Sequence, residues 1–290
     1  MKTGLIGLGN MGTAMASNLY KAGFLHAIWN RNENKTHAFC KEHKVPVLDS
    51  LATLARQCEL IITCVSADKD LLEVINKIKP DLNANTIIID TSTVSVQTAK
   101  DLCDELSEID VAFIDAPVSG GVEGAKNGQL VMMAGGNEEI LNHIRPVLES
   151  ITKRVEYMGS CGNGQATKAV NQVMAAGINQ AVSEALALAD AAGLDLEKVI
   201  DVISGGAAGN WFLQHRGQTM TNNIFDPGFK MNLHHKDLLL CKQLVQQLND
   251  GEKSLPIIEM TLIHYQRLMD AGFGEEDISS LYRLKKEVFD

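Results

Sequence analysis

Residues 162–193 read Gly162-Asn-Gly-Gln-Ala-Thr-Lys168-Ala-Val-Asn171-Gln172-Val-Met-Ala-Ala-Gly-Ile-Asn179-Gln-Ala-Val-Ser183-Glu-Ala-Leu-Ala-Leu-Ala-Asp-Ala-Ala-Gly193. Apolar positions Ala166, Val170, Val173, Ile178, Val182, Ala185, Leu186 and Ala189 recur at steps of three and four, and no proline interrupts them. That spacing predicts one helix, roughly 40 Å long at 1.5 Å per residue, long enough to serve two domains at once. The stripe Lys168, Asn171, Gln172, Asn179 and Ser183 lies off the apolar face and reads as a solvated surface. Lys168 is singled out within it. It stands one turn into the helix, behind a Gly-x-Gly entry that lets backbone and ligand approach closely, where a lysine could meet a bound substrate.

On the N-terminal side of this helix the pattern is strand and helix in alternation. Thr3 to Leu8 reads as a short buried strand, followed by Gly7-Leu8-Gly9-Asn10-Met11-Gly12 and a helical pattern toward Gly23. Gly-x-Gly-x-x-Gly after a strand and opening a helix is the setting for a dinucleotide: tight turn, close approach of the pyrophosphate, close helix packing, and helix N–H groups to hold the charge. The alternative is a glycine-rich turn with no ligand. A second strand, His26 to Trp29, ends in Asn30-Arg31-Asn32-Glu33-Asn34-Lys35. The acidic residue that would bind a ribose 2′-hydroxyl is missing and Arg31 stands beside its place, which favours NADP over NAD. Strands Leu60–Val65, Thr86–Asp90, Val111–Asp115, Leu130–Ala134 and Arg154–Met158 follow, with helices between most of them. Continuous apolar strands of this kind imply a parallel sheet covered on both faces, with ligands at the strand ends where Val65, Ser66 and Thr93 fall. Each of these could equally be a helix cap. The glycine-rich stretch Ala116 to Gly128, containing Ser119, Gly120 and Gly121, reads as a loop whose backbone N–H groups suit a carboxylate.

On the C-terminal side strand signals stop. Helical patterns cover Leu196–Ser204, Trp211–Met220, Asn232–Leu248, Pro256–Ala271 and Ser279–Val288. The fold class is therefore α/β: a Rossmann-type, doubly wound, mainly parallel sheet domain followed by an all-α domain, joined by the long interdomain helix. The expected division is 1–162 for the NADP-binding domain and 163–290 for an all-α substrate and dimerisation domain, with 163–193 as the joining helix.

A chain of 290 residues, 45% hydrophobic and 21% charged, is ordinary for a globular protein of two domains. A net charge of −10 without any basic run argues against nucleic-acid or anionic-membrane partners. Six cysteines without Cys-x-x-Cys spacing read as reduced thiols. No apolar run approaches a signal peptide or the ~18 residues of a membrane span, so the expected compartment is the cytoplasm. Tandem His234-His235 would point about 100° apart on a helix, with no Cys or Asp cluster beside them, so no metal is expected.

Four motifs in order, Gly7-Leu-Gly-Asn-Met-Gly12, Asp115-Ala-Pro-Val-Ser-Gly-Gly121, Gly162-Asn-Gly-Gln-Ala-Thr-Lys168-Ala-Val-Asn171 and His235-Lys236-Asp237-Leu238, resemble those of the β-hydroxyacid dehydrogenases. That family includes 3-hydroxyisobutyrate dehydrogenase, tartronate semialdehyde reductase and the glyoxylate/succinic semialdehyde reductases, with 6-phosphogluconate dehydrogenase more distant. The resemblance spans the chain. It implies that Ser119, Gly120 and Gly121 bind a substrate carboxylate, that Lys168 is catalytic and that Asn171 orients the substrate. Lys236 would lie near the nicotinamide, and Thr93 with Val65 and Ser66 would touch the cofactor. Asn30 and Arg31 look like the NADP-preferring members, with Asn32 and Lys35 alongside, while Gln172, where several members carry Asn, is closer to the tartronate semialdehyde reductases. Gln172 and Trp211 complete the expected substrate set. The implied reaction is NAD(P)-dependent interconversion of a short β- or γ-hydroxy carboxylate and its semialdehyde or keto form, in a homodimer or homotetramer. A non-catalytic NADP sensor or an imine reductase on the same fold are the alternatives.

Overall fold

The computed structural model describes residues 1–46, 48, 50–249, 251 and 253–289. Its chain divides into two compact units, Met1–Lys168 and Ala169–Asp290.

In the first unit β1 (Thr3–Ile6), β2 (Leu25–Trp29), β3 (Leu60–Thr63), β4 (Ile87–Asp90) and β5 (Ala112–Asp115) form a parallel sheet in the order β2-β1-β3-β4-β5. Successive side chains point to opposite faces of a strand, and both faces here are buried. Leu5, Leu60, Ile62, Ile89 and Ile114 enter one core, while Ile6, Ile61, Ile88 and Phe113 enter the other. This is why Leu60-Ile-Ile and Ile87-Ile-Ile are apolar throughout rather than alternating. The faces are covered by α1 (Asn10–Lys21), α2 (Glu33–His43), α3 (Leu51–Gln57), α4 (Asp68–Ile78) and α5 (Val96–Ser107). The parallel-sheet reading holds.

Beyond Asp115 the strands do not extend that sheet. The stretch read above as one glycine loop contains β6 (Val118–Ser119) and α6 (Gly121–Lys126), followed by β7 (Leu130–Ala134), α7 (Glu138–Leu148) and β8 (Thr152–Tyr157). Strands β6, β7 and β8 make a second sheet, with β6 antiparallel and β8 parallel to β7. Pro117 explains the break. Ala116 still donates to the Asp90 carbonyl at 2.7 Å, but proline has no N–H to continue the ladder and instead accepts from Met133 at 3.1 Å.

Helix α8 (Asn163–Ala191) crosses the unit boundary. The second unit adds α9 (Leu196–Ser204), α10 (Trp211–Thr221), α11 (Met231–Leu248), α12 (Pro256–Asp270) and α13 (Leu281–Lys286), so the all-α expectation holds. The solvated-stripe reading of α8 is overturned. Lys168, Gln172, Asn179 and Ser183 are buried, whereas Val170 and Met174 are 65% and 62% exposed. The cause is long-range pairing. Asn179 donates to the Tyr265 hydroxyl (3.0 Å) and the Ile278 carbonyl (2.8 Å), and Gln172 donates to Asp237, so the polar face is satisfied inside rather than by water. Among the described residues no helix is long and apolar enough to cross a membrane.

Candidate functional site

The glycine turn between β1 and α1 is held by its neighbours. Gly7 donates to the Trp29 carbonyl at 2.9 Å, Leu8 donates to Asn30 Oδ1 at 2.8 Å, and Lys35 Nζ reaches the Leu8 carbonyl at 3.3 Å. Asn30 thus spends its carbonyl on the turn. The three glycines have different reasons. A Cβ on Gly7, whose φ is +105°, would lie 2.2 Å from the Cys64 carbonyl oxygen, and one on Gly12 would lie 1.8 Å from that of Gly7. One on Gly9 would meet nothing within 4 Å. Packing requires the first and third, whereas the second faces open space, as a position kept small for a ligand would.

Gly9 is also the N-cap of α1 and offers no side-chain acceptor, and the first turn carries no acid. The helices α2, α3, α5 and α7 are capped by Asn32, Ser50, Ser95 and Asn137. Of α1 to α7 only α1 begins with neither a capping side chain nor a first-turn carboxylate, so its N–H groups stay available to an anion. Arg31 is 75% exposed at its side chain and gives one N–H to Asp70 at 3.1 Å. A guanidinium has five donors, so most of the fork remains for a phosphate.

At the strand ends Asp90 Oδ1 accepts from Thr63 Oγ1 and Ser92 Oγ, both at 2.6 Å, and Ser92 Oγ in turn accepts from Val65 N at 2.8 Å. Gln165 locks the next turn by donating to the Ser92 carbonyl (2.9 Å) and accepting from Val94 N (3.2 Å). These bonds fix the backbone around Val65 and Thr93, and Ser66 is exposed beside them. The start of α8 is held by buried Asp115, whose Oδ1 accepts from Gly162 N at 2.7 Å and Oδ2 from Gln165 N at 2.8 Å. One turn later Lys168 is buried, with Nζ donating to the Val118 carbonyl at 2.9 Å. The expected catalytic lysine is therefore tied to the strand that ends in Ser119, directly before Gly120 and Gly121 at φ of +127° and +62°.

Burial pushes the Asp115 carboxyl up to about 6 from 3.8, against the lowering effect of its two backbone donors. The folded protein holds this proton more tightly than the unfolded chain does. The stability it contributes is complete below pH about 4 and is lost as the pH rises through about 6, about 3 kcal/mol in all. Asp115→Asn should lack this slope, so the difference in unfolding free energy between wild type and variant should fall by that amount from pH 4 to 7 in urea titrations. A difference that stays flat would contradict the assignment.

In the second unit Asn171 Nδ2 donates to Gln172 Oε1 (2.8 Å), Gln172 Nε2 donates to Asp237 Oδ2 (2.6 Å), and Asp237 Oδ1 pairs with Lys236 Nζ (2.9 Å). Three expected residues are thereby joined through Asp237. Trp211 instead opens α10, 56% exposed and stacked on His215 at 4.2 Å. Of the tandem histidines, His234 is buried against the Tyr265 hydroxyl at 3.0 Å. Burial lowers the pKa of His235. Among the described residues no group of three or more His, Cys, Asp or Glu side chains could hold a metal ion. Asp70, Asp90, Asp115, Gln165 and Asp237 are the residues sequence reasoning missed. Each has a partner far along the chain, 27 positions for Asp90 with Thr63, 39 for Asp70, 47 and 50 for Asp115, 65 for Asp237 and 71 and 73 for Gln165, and no local pattern marks such pairs.

A dinucleotide turn before the helical unit is matched by the family descriptions. Residues 2–159 match the NAD binding domain of 6-phosphogluconate dehydrogenase, and residues 162–285 match the NAD-binding domain of NADP-dependent 3-hydroxyisobutyrate dehydrogenase. The chain is 36% identical over 263 residues to the 2-hydroxy-3-oxopropionate reductase of Escherichia coli K12, covering 86% of this chain and 85% of that one. It is 34% identical to the mitochondrial 3-hydroxyisobutyrate dehydrogenase of Drosophila melanogaster, covering 99% and 90%. The Mycobacterium tuberculosis 3-hydroxyisobutyrate dehydrogenase, determined with L-serine, superposes with a TM-score of 0.87 at 28% identity, covering 98% of both chains. The fold and these matches define an NAD(P)-dependent oxidoreductase. The chain belongs to the 3-hydroxyisobutyrate dehydrogenase, or β-hydroxyacid dehydrogenase, family.

Proposed function

We propose that this protein interconverts a short β- or γ-hydroxy carboxylate and its semialdehyde or keto form, with NADP preferred over NAD. The observation that carries this reading is the 2.9 Å bond from Lys168 Nζ to Val118, which sets an amine beside Ser119, Gly120 and Gly121. In the proposed site those three residues hold the substrate carboxylate, and Asn171, Gln172 and Trp211 contact the rest of the substrate. Gly7, Leu8, Gly9, Asn10, Met11 and Gly12 hold the pyrophosphate at the start of α1. Asn30, Arg31, Asn32 and Lys35 take the adenosine ribose and its 2′-phosphate, and Val65, Ser66, Thr93 and Lys236 take the remainder. The nicotinamide, when bound, supplies or accepts the hydride. Lys168 handles the other half of the balance: it donates a proton to the carbonyl oxygen in reduction and removes it from the hydroxyl in oxidation.

The division into an NADP-binding domain at 1–162 and a substrate and dimerisation domain at 163–290 belongs to the same proposal. So does a cytoplasmic homodimer or homotetramer, supported by six free cysteines and by the apolar Val170 and Met174 left exposed on α8. The deciding experiment follows NADPH and NADH consumption with glyoxylate, succinic semialdehyde, tartronate semialdehyde and methylmalonate semialdehyde. Turnover with at least one is expected, and none with any would remove the proposal.

Cofactor preference has its own test. Arg31→Asp should raise the NADPH KM by one or two orders of magnitude, because a charge-assisted phosphate contact is worth ~1.5–3 kcal/mol. The new carboxylate would also face Asp70, so no cation would be left there. NADH kinetics should change much less. An unchanged NADPH/NADH ratio would sink the assignment of Arg31.

A further inference from the structure

The segment leading into α8 is pressed against α5. Gly162 has φ of +90°, and a Cβ there would stand 3.0 Å from Lys100 Cγ and 3.2 Å from Val96 Cγ1. Cys161, just before it, donates its thiol to the Ala99 carbonyl at 3.3 Å. Ala99 lies one helical turn before Cys103, so both residues belong to the same face of α5. Cys103 directs its own thiol at the Phe113 carbonyl at 4.0 Å, and both cysteines pack against the apolar cluster that holds Ala99 and Phe113. Both cysteines are half-buried, which leaves part of each accessible. We propose that Cys103 and Cys161 form a peroxide-reactive dithiol site that closes to a disulfide and thereby loosens the first turn of α8.

The two sulfurs have different roles. The neighbouring Cys161 thiol holds the Cys103 thiol below its usual range, which favours the nucleophilic thiolate, whereas that pairing and burial push Cys161 up. Burial raises the thiols of Cys58 to about 12 and Cys64 to about 11, which leaves them inert by comparison. The Cys103 thiolate attacks one peroxide oxygen, the O–O bond breaks, and the departing hydroxide takes a proton to leave as water. Cys103 is then a sulfenic acid. The Cys161 sulfur attacks the Cys103 sulfur, the S–O bond breaks, and the second hydroxide leaves as water with the Cys161 proton. Two thiols lose two electrons and one peroxide is reduced to two waters. Oxidation removes the thiol proton that ties Cys161 to the Ala99 carbonyl, while Asp115 still carries the N–H groups of Gly162 and Gln165.

The test treats the folded full-length protein with hydrogen peroxide, blocks remaining thiols by alkylation and reads tryptic peptides by mass spectrometry. Peptides 101–126 and 155–168 each contain one of the two cysteines. A crosslink between these peptides is expected in most molecules, reversed by dithiothreitol and lost in Cys103→Ser and in Cys161→Ser. Amide hydrogen exchange across residues 162–168 should quicken several-fold on oxidation. No crosslink in the folded wild type, or one formed only in guanidinium, overturns the site whether or not the serine variants fold. A crosslink with unchanged exchange overturns its coupling to α8. Neither readout depends on which substrate the protein turns over.

Discussion

Lys168→Ala should lower kcat by roughly 10²–10⁴, the usual contribution of a positioned acid or base. The structure sharpens this expectation. Lys168 is only 7% exposed, and its Nζ is directed at the Val118 carbonyl beside Ser119 rather than into bulk water. Truncation therefore removes a proton carrier held in one place, and no solvent lysine can substitute for it. Burial also changes the expected stability. Surface lysines cost little on truncation, but here a cavity and an unsatisfied buried acceptor remain, so a loss of about 1–3 kcal/mol is expected, with the variant still folded at 25 °C. Lys168→Arg should rescue little, since guanidinium keeps its proton at working pH and cannot act as the base. Steady-state kinetics, circular dichroism and a fluorescence titration with NADPH separate the effects, because cofactor affinity should barely move. A fall in kcat of less than about fivefold with the fold intact would make Lys168 a backbone anchor, and Lys236 would become the candidate for the proton.

What sequence reading saw and what it missed divide along a physical line. The five-stranded sheet was legible because Leu60-Ile-Ile and Ile87-Ile-Ile report burial of both faces locally, residue by residue. The glycine turn was legible because its three constraints fall within six positions. The polar face of α8 was misread for the opposite reason. Periodicity separates polar from apolar positions but cannot tell a polar face bathed in water from one paired with Asp237, Tyr265 and the Ile278 carbonyl. In an alanine-rich helix those hydrogen bonds outweigh the small apolar surface of the other side, so Val170 and Met174 face outward. Asp115 was quoted in a motif, yet its two bonds to the start of α8 depend on a partner 47 and 50 positions away. The second sheet was hidden by Gly120 and Gly121, whose positive φ angles serve a strand end and a short helix rather than an open loop.

Gly9→Val should raise the KM for NADPH and NADH alike by roughly two orders of magnitude, the loss expected when charge-assisted phosphate contacts worth ~1.5–3 kcal/mol each are held off. The three glycines of the turn differ in what a side chain would meet. Any side chain at Gly7 or Gly12 collides with backbone oxygen at 2.2 Å and 1.8 Å, so substitution there damages the fold and says nothing about a ligand. Gly9 has φ of −72° and ψ of −173°, an extended conformation open to any residue, and its missing Cβ would touch no protein atom within 4 Å. Valine there costs the protein only a weaker start to α1, about 1 kcal/mol or less. What it obstructs is approach to the uncapped N–H groups of that helix. Because the pyrophosphate is common to both cofactors, the defect should be equal for both, unlike that of Arg31→Asp, which should single out NADPH. Thermal melts close to wild type together with a large rise in both KM values are the expected pair of results. Wild-type KM values in a folded Gly9→Val protein would mean that the dinucleotide does not pass over this turn, and the cofactor site would have to be sought elsewhere along the strand ends.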